Sequence, residues 1–307
     1  MSSPYYRFSN YLHDKFGEKV SRVSVDAGFS CPNRDGKLGV GGCVFCDNRG
    51  FSFNSRNTPP DLDDQIRNGM EAARRRFGAE KFILYFQAYT GTYGTVKELK
   101  PVYDNVNLHP GIVGLYIGTR PDCLSRDILA LINGYGPDRD VWIELGLQSA
   151  NDRTLERINR RHTVSDFSNA VAMIRDYPNI KICAHVIIGL PGEERSDIIA
   201  TAEYLSRVGV DGVKVHPMHV IKGTKLCEDF DAGLYKPMRS ETYMDLLIDL
   251  LERLPDKVVI QRVTADCPRE YLAGPDWILD KNRFLSLLDL KLSEQGRYQG
   301  RLCAGAK

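Results

Sequence analysis

Three cysteines in the stretch CPNRDGKLGVGGCVFC, residues 31 to 46, are the residues best suited to chemistry. Cys31, Cys43 and Cys46 form a C-x11-C-x2-C set. Three thiolates match three corners of a cubane iron–sulfur cluster and leave its fourth iron without a protein ligand. Glycines within the loop allow positive φ, so the chain can fold back and bring Cys31 to the other two cysteines. An iron with an open site predicts bond-making chemistry rather than electron storage alone.

Two other interpretations of the cysteines stay open at this point. A structural zinc site normally has four ligands, and the loop offers only Asp47 and no histidine as a fourth. A simple electron carrier usually holds its cluster with four cysteines. Both alternatives predict a protein that does not catalyse a reaction.

The cysteine loop, with Phe45 just before the last cysteine, resembles the cluster-binding loop of radical SAM enzymes. Its x11 gap is similar to that of the branch that includes the catalytic subunit of elongator. The resemblance extends over residues 19 to 270 and implies a [4Fe–4S] cluster and S-adenosyl-L-methionine as cofactors. In that superfamily, reductive cleavage of S-adenosylmethionine gives methionine and a 5′-deoxyadenosyl radical, which takes a hydrogen atom from the substrate.

The resemblance also implies a set of residues that bind S-adenosylmethionine. Gln87 stands where many of these enzymes carry a Gly-Gly-Glu-like segment, and the fourth predicted strand is similar to elements of the elongator subunit and of oxygen-independent coproporphyrinogen oxidase. The expected cofactor-binding residues are Gln87, Glu144, Gln148, Ser149, Arg160, Gly189 and Pro191. Of these, Gln148 would contact the ribose, Arg160 the carboxylate, and Gly189 and Pro191 the adenine. The alternative for the polar residues is a buried hydrogen-bond network.

Three further residues have open roles. His185 stands where the oxidase pattern has an aspartate, so it is either a cofactor contact or a packed core histidine. The segment from Lys214 to Leu226 resembles the corresponding elongator segment and makes Lys214 and Lys222 candidates on the substrate side. The alternative for both lysines is a solvated surface position.

Five other cysteines could suggest a second metal site. Their spacing contains no C-x2-C pair, which favours ordinary thiols in the protein interior. They are Cys123, Cys183, Cys227, Cys267 and Cys303.

The elements that must position these residues alternate between short apolar strands and helical segments, which predicts parallel βαβ units of the α/β class. The resemblance implies a partial (β/α)6 TIM-like barrel with a small C-terminal α/β extension, the core at 15–225 and the extension at 226–307. The motifs follow predicted strands, and barrel enzymes place their chemistry at the C-terminal ends of strands. Residues 1–17 are expected to form a short helix closing one barrel end, 257–263 a further strand, and the tail from Gln295 to be frayed. The six predicted barrel strands lie at 19–25, 82–87, 111–118, 141–147, 180–188 and 210–216.

Composition limits the partners. A net charge of +1 in 307 residues predicts no strong general attraction to nucleic acid or to a membrane surface, although a local basic face is compatible with it. We expect no signal peptide and no membrane span, because the chain has no run of eighteen apolar residues. Eight cysteines without secretion indicate a reducing, cytoplasmic location.

The resulting functional prediction is a radical SAM enzyme. Family similarity suggests that it acts on the side chain of a tRNA wobble uridine, and that it takes electrons from a one-electron donor such as flavodoxin or ferredoxin. The alternatives are radical modification of a small metabolite or a non-catalytic iron–sulfur electron carrier.

Overall fold

A computed structural model describes residues 3–52, 55 and 61–303 of the chain. The strands are β1 (Val20–Val25), β2 (Lys81–Phe86), β3 (Ile112–Thr119), β4 (Asp140–Gln148), β5 (Ile180–Ile188), β6 (Gly212–Pro217), β7 (Val220–Ile221), β8 (Val259–Arg262) and β9 (Leu272–Gly274). The helices are α1 (Phe8–Phe16), α2 (Asn48–Phe51), α3 (Leu62–Phe77), α4 (Val96–Tyr103), α5 (Asn105–Leu108), α6 (Arg126–Asn133), α7 (Asp152–Arg157), α8 (Val164–Arg175), α9 (Arg195–Val208), α10 (Lys225–Asp231), α11 (Ser240–Leu251) and α12 (Lys281–Glu294), with 3₁₀ turns at Pro121–Cys123 and Asp276–Leu279.

Seven strands form one parallel sheet in the order β1-β2-β3-β4-β5-β6-β8, which curls into a half-barrel. The predicted α/β partial barrel is therefore confirmed. The sheet has one strand more than the six expected barrel strands, because the predicted strand near 257–263 forms as β8 and pairs with β6. β7 and β9 make a separate antiparallel pair.

Side chains on alternate strand positions explain why the barrel has two different faces. In β4 every residue is buried, because both faces of the strand are covered. Val141, Ile143 and Leu145 belong to the main apolar core that includes residues of the outer helices. Trp142 belongs to a second apolar cluster that includes Phe8 of α1. The polar residue Glu144 follows on the interior side.

Helix α1 closes the N-terminal end of the half-barrel, as the sequence predicts. Leu12 packs with aromatic residues from the barrel interior. The Tyr11 hydroxyl donates a hydrogen bond to Asp140 Oδ1 at 2.7 Å. Because α1 covers this end, the open end of the half-barrel is the one at the C-terminal ends of the strands.

The expectation that the tail frays from Gln295 is wrong for the described residues up to 303. The Gln299 amide donates to the carbonyl oxygens of Pro255 and Val258 at 2.7 and 2.8 Å, and its own oxygen accepts from the Tyr6 backbone at 2.8 Å. The Arg297 and Arg301 guanidinium groups pair with the fully buried Glu252 carboxylate. These polar contacts hold the tail against both the N-terminal segment and the helical layer, and a hydrophobicity pattern does not detect them.

The longest helix of the described part is α3, with 16 residues. Within residues 3–52 and 61–303, no helix combines the length and apolarity needed to cross a lipid bilayer.

Candidate active site

One cavity lies at the C-terminal ends of the barrel strands, and the three cysteines line it together. The cavity encloses about 1320 Å³ between protein atoms, part of it open to solvent. Five predicted site residues line the same cavity, and they are Gln87, Glu144, Gln148, Arg160 and Lys214. Ser149, Gly189, Pro191 and Lys222 are placed outside this lining.

The cysteine loop is held between two distant parts of the chain. The backbone N–H of Val44 in this loop donates to the Ile158 carbonyl at 3.1 Å, and the Val44 carbonyl accepts from the Leu226 backbone N–H at 2.8 Å. Phe45 packs beside Ile158 and Leu226 in an apolar cluster. The aromatic residue in front of the last cysteine therefore anchors the loop, which fixes Cys43 and Cys46 on either side of it.

A turn of unusual backbone geometry at 159–162 clamps the loop from the side. Asn159 and Arg161 have φ of 55° and 62°, in the left-handed region that non-glycine residues rarely occupy. The Asn33 amide donates to the Asn159 carbonyl at 2.7 Å, and the Asn159 amide donates to the Gly42 carbonyl at 2.7 Å. These two bonds connect the turn to both halves of the cysteine loop. Strain of this kind persists only where the surroundings compensate for it.

The same turn places Arg160 against the cysteines. Its guanidinium donates to His162 Nε2 at 2.8 Å, to the Gly146 carbonyl at 3.0 Å and to Cys43 Sγ at 3.6 Å. A Cβ at Gly146 would stand 2.4 Å from Arg160 Nη2, so a larger residue there would displace this guanidinium from its present position. Burial, reinforced by Arg160 and Arg120, lowers the pKa of His162 to about 3. The imidazole is thus neutral and accepts from Arg160 through Nε2, which leaves Nδ1 to donate to the Thr163 carbonyl.

Arg120 is a site residue that the sequence analysis missed. It is only 2% exposed, lines the cavity, and donates to the Arg160 carbonyl at 3.0 Å. Two further bonds, of 2.9 and 2.7 Å, join it to the Asp122 carboxylate. Its position directly after β3, at the edge where the other polar residues gather, was the available signal.

Glu144 is the centre of a buried polar network in the deeper part of the cavity. Its Oε2 atom accepts from the Tyr85 hydroxyl at 2.6 Å, from His185 Nε2 at 2.7 Å and from the Lys214 ammonium. Burial opposes ionisation, but Lys214, His185 and Arg22 hold the pKa of this carboxyl well below its usual range. His185 both lines the cavity and is hydrogen-bonded to Glu144, so its two predicted roles stay open.

Lys214 is not the solvated surface lysine that the alternative proposed. It is 2% exposed, and its ammonium is paired with Glu144 inside the barrel. Burial lowers its pKa to about 8, against the opposing attraction of Glu144. A buried lysine that loses its proton near neutral pH is typical of a functional site.

Gln87 and Gln148 end two strands at the cavity wall. The Gln87 amide donates to the Phe51 carbonyl at 3.2 Å. Gln148 has φ of 72° at an irregularity in the pairing of β4 with β5. That irregular backbone turns the end of β4 and aims Gln148 into the cavity.

The other predicted residues have protein partners outside the cavity lining. The Ser149 hydroxyl donates to Glu193 and accepts from the Asn151 backbone at 3.1 Å. The Gly189 carbonyl accepts from the Tyr235 hydroxyl at 2.8 Å, and the Pro191 carbonyl accepts from Arg157 at 2.9 Å. Lys222 donates to the Glu270 carbonyl at 3.0 Å.

The three thiols fit a cluster of several metal ions. Burial and the neighbouring Cys43 and Cys31 thiolates raise the pKa of Cys46 to about 12, although Arg34 and Arg160 oppose the shift. Bound cations let thiols ionise at such a site. Across residues 3–52, 55 and 61–303, no three His, Cys, Asp or Glu side chains are close enough to hold one metal ion, here or at the remaining cysteines. All three thiols line the cavity at the strand ends, and thiolates are the usual protein ligands of iron–sulfur clusters.

Known proteins are similar to this chain in sequence and in fold. The sequence model of the Radical SAM superfamily matches residues 33–205, and that of the Radical_SAM C-terminal domain matches residues 210–294. Protein YtqA of Bacillus subtilis (strain 168) is 34% identical over 297 residues, which cover 97% of this chain and 92% of that protein. The tRNA uridine(34) acetyltransferase of Dehalococcoides mccartyi (strain CBDB1) is 31% identical over 184 residues, which are 59% of this chain and 39% of that protein.

Among solved structures, the archaeal Elp3 of Methanocaldococcus infernus, lacking its N-terminal residues 1–46, has the same fold. The TM-score is 0.68 at 20% sequence identity, and the match covers 91% of this chain and 64% of that one. Radical SAM enzymes use a [4Fe–4S] cluster and S-adenosylmethionine, for which the three cysteines and the cavity are suited. The chain therefore belongs to the radical SAM superfamily of enzymes.

Proposed function

We propose that this enzyme modifies the carbon-5 side chain of a tRNA wobble uridine. The observation that carries the proposal is the cavity, which joins the three cysteines to a buried polar floor, in a chain similar to a tRNA uridine(34) acetyltransferase. Enzymes that act on a base take it out of its stack and insert it into such a pocket.

We assign the cluster to Cys31, Cys43 and Cys46. Bound by these cysteines and reduced by the electron donor, the cluster would supply the electron for reductive cleavage of S-adenosylmethionine, and so the radical chemistry that removes hydrogen from the substrate. Arg160, held in place by His162 and Gly146, presents its guanidinium to the carboxylate of the cofactor.

The remaining cofactor contacts are proposed from the family resemblance, and three of the residues, Gln87, Glu144 and Gln148, line the cavity. Gln148 offers its amide to the ribose, and Gln87 with Glu144 offers oxygen atoms to the ammonium group. The backbone at Gly189 and Pro191 would meet the adenine only if the cofactor reaches past the lining, with Ser149 supporting the same wall through Glu193.

On the substrate side, Lys214 is the residue best placed to hold a polar substituent. Its ammonium lies at the buried floor beside Tyr85, 3.2 Å from that hydroxyl. With its pKa near 8, it can donate a hydrogen bond or release a proton at physiological pH. Lys222, on the outer surface, is the candidate for a tRNA phosphate. We place the enzyme in the cytoplasm, with flavodoxin or ferredoxin as its electron donor.

The test combines cofactor cleavage with analysis of tRNA. The enzyme is reconstituted anaerobically with iron and sulfide, and then given dithionite, S-adenosylmethionine and tRNA from cells that lack its gene. We expect 5′-deoxyadenosine, a changed uridine in the nucleoside digest, and loss of both in Cys43→Ala. Cleavage with no change in any tRNA nucleoside, and no tRNA binding at low salt, would reject tRNA and favour a small metabolite.

A further inference from the structure

We propose that Arg160 is a positioning residue that raises the reduction potential of the cluster through its bond to the Cys43 sulfur. Arg160 Nη1 stands 3.6 Å from Cys43 Sγ, and the Asn33 amide nitrogen stands 3.7 Å from the same atom. Cys43 is buried, so both donors act where water screens them little. One donor is cationic, which makes its hydrogen bond the stronger of the two.

The three cysteines differ in this respect. Within the described ranges, which omit 53–54 and 56–60, no hydrogen-bond donor reaches the sulfur of Cys31 or Cys46. The Arg34 guanidinium lies near Cys46 but donates to its backbone carbonyl at 3.0 Å. The protein therefore withdraws electron density from the cluster mainly through one of its three thiolates.

The contact is built into the fold and does not depend on a flexible side chain. His162 and the Gly146 carbonyl accept from Arg160, and Arg120 holds its backbone carbonyl. Because His162 is bound as a neutral acceptor, the positive charge stays on the guanidinium beside Cys43. Hydrogen bonds and positive charge at cluster sulfurs stabilise the reduced state, so they raise the potential.

The test measures potential and needs neither S-adenosylmethionine nor tRNA, so its outcome is independent of the proposed substrate. The midpoint potential of the reconstituted cluster is determined by redox titration followed by electron paramagnetic resonance. In Arg160→Gln we expect about tenfold less reduced cluster at a fixed low potential, which is about 59 mV for one electron. Arg161→Gln is the matched control, since it removes the same charge from the neighbouring, exposed guanidinium, which donates to Asn159 Oδ1 and to no cysteine sulfur of the described residues.

The control distinguishes the effect of the hydrogen bond from Arg160 to Cys43 from the long-range effect of any nearby positive charge. An unchanged potential in Arg160→Gln, or an equal shift in both variants, would overturn the proposal. Arg160→Lys keeps the charge without the planar fork, so we expect a smaller decrease than in Arg160→Gln.

If the Arg160→Gln variant does not bind a cluster, a second measurement tests the proposal in protein that keeps Arg160. In enzyme labelled with ¹⁵N-arginine, we expect a ¹⁵N hyperfine coupling to the reduced cluster that survives Arg34→Gln. Absence of that coupling would equally overturn the proposal.

Discussion

A single buried carboxylate organises the polar interior of the barrel. One oxygen of Glu144 accepts from three donors, and the other lies 4.0 Å from the Arg22 guanidinium. Ion pairs out of water are costly to form and more costly to break, because the group left behind keeps its charge without a partner. The network therefore fixes Lys214 and His185 at the floor of the cavity.

We predict that Glu144→Gln destabilises the fold by about 3 kcal/mol, within the range for breaking a buried pair. Glutamine keeps the shape but leaves the Lys214 ammonium without a counter-charge. Urea unfolding of the variant and of the original chain measures the difference. Glu71→Gln, which breaks an exposed pair with Arg75, serves as the control and should change stability little. Equal stability for both variants would contradict the argument.

His162 predicts a dependence of stability on pH. Its pKa is about 3 in the folded state against 6.5 in the unfolded chain, so unfolding takes up a proton between these values. The stabilising contribution is complete above pH 6.5 and is lost as the pH falls toward 3. At pH 5 the free energy of unfolding is therefore lower by about 2 kcal/mol, because each pH unit below 6.5 removes about 1.36 kcal/mol.

The variant His162→Gln isolates that contribution, because glutamine stays neutral and can still accept from Arg160. Urea unfolding at pH 7 and pH 5 should show a smaller loss of stability for the variant than for the original chain. Parallel losses would mean that His162 does not titrate as stated. The other buried histidines contribute equally to both proteins and cancel in the comparison.

The sequence predicts site residues where their spacing alone indicates the chemistry. It does not predict them where two residues pair only because of the fold. The cysteine set is local, and its spacing predicts the cavity wall that the three cysteines share. The pairing of Glu144 with Lys214 spans 70 positions. Those residues lie on β4 and β6, on either side of β5, and only the register across the three strands brings them together. For that reason Lys214 could not be distinguished from a surface lysine.

Among the elements, the turn at 159–162 is the one whose geometry matters most for the site. Asparagine tolerates the left-handed conformation that Asn159 adopts, and its side chain also binds the Gly42 carbonyl. Both properties can be tested separately, because glycine retains the backbone conformation without the side chain.

We predict that Asn159→Ala lowers stability by about 2 kcal/mol, adding conformational strain to the lost hydrogen bond. Asn159→Gly should lose only about 1 kcal/mol, since it is free of the strain. Iron content after anaerobic reconstitution should decrease in the same order, because the turn holds the cysteine loop. Thermal unfolding and iron analysis of both variants check this. Identical behaviour of the two variants would show that the backbone conformation carries no cost.

Elements with strong periodicity were predictable, and those fixed by long-range polar contacts were not. The six barrel strands appear within a few residues of their predicted bounds, since buried parallel strands are continuous apolar runs. The tail after Gln295 has no such signal. Its order comes from Arg297 and Arg301 meeting Glu252, about 45 residues earlier in the chain.

At the scale of the whole molecule, a net charge of +1 means that tRNA binding must depend on local positive charge. Lys222 is exposed, and its backbone donates to the Tyr271 carbonyl at 2.9 Å. The Tyr271 ring lies 5.9 Å from the guanidinium of Arg49, and Arg49 belongs to α2, the short helix that follows Cys46. Lys222 is therefore an exposed cation linked through Tyr271 to Arg49, and we expect these two positive charges to attract tRNA phosphates.

If the proposed tRNA substrate is right, Lys222→Gln should weaken binding equally for all tRNA sequences. The slope of log Kd against log salt should fall in magnitude by about 1, the effect of losing one phosphate contact. Lys225→Gln is the matched control, because that exposed lysine is already paired with Glu228 and Asp229 at 3.0 Å each. Filter binding across a salt series gives both slopes. An unchanged slope in Lys222→Gln, or the same change in both variants, would place the tRNA on another face of the molecule.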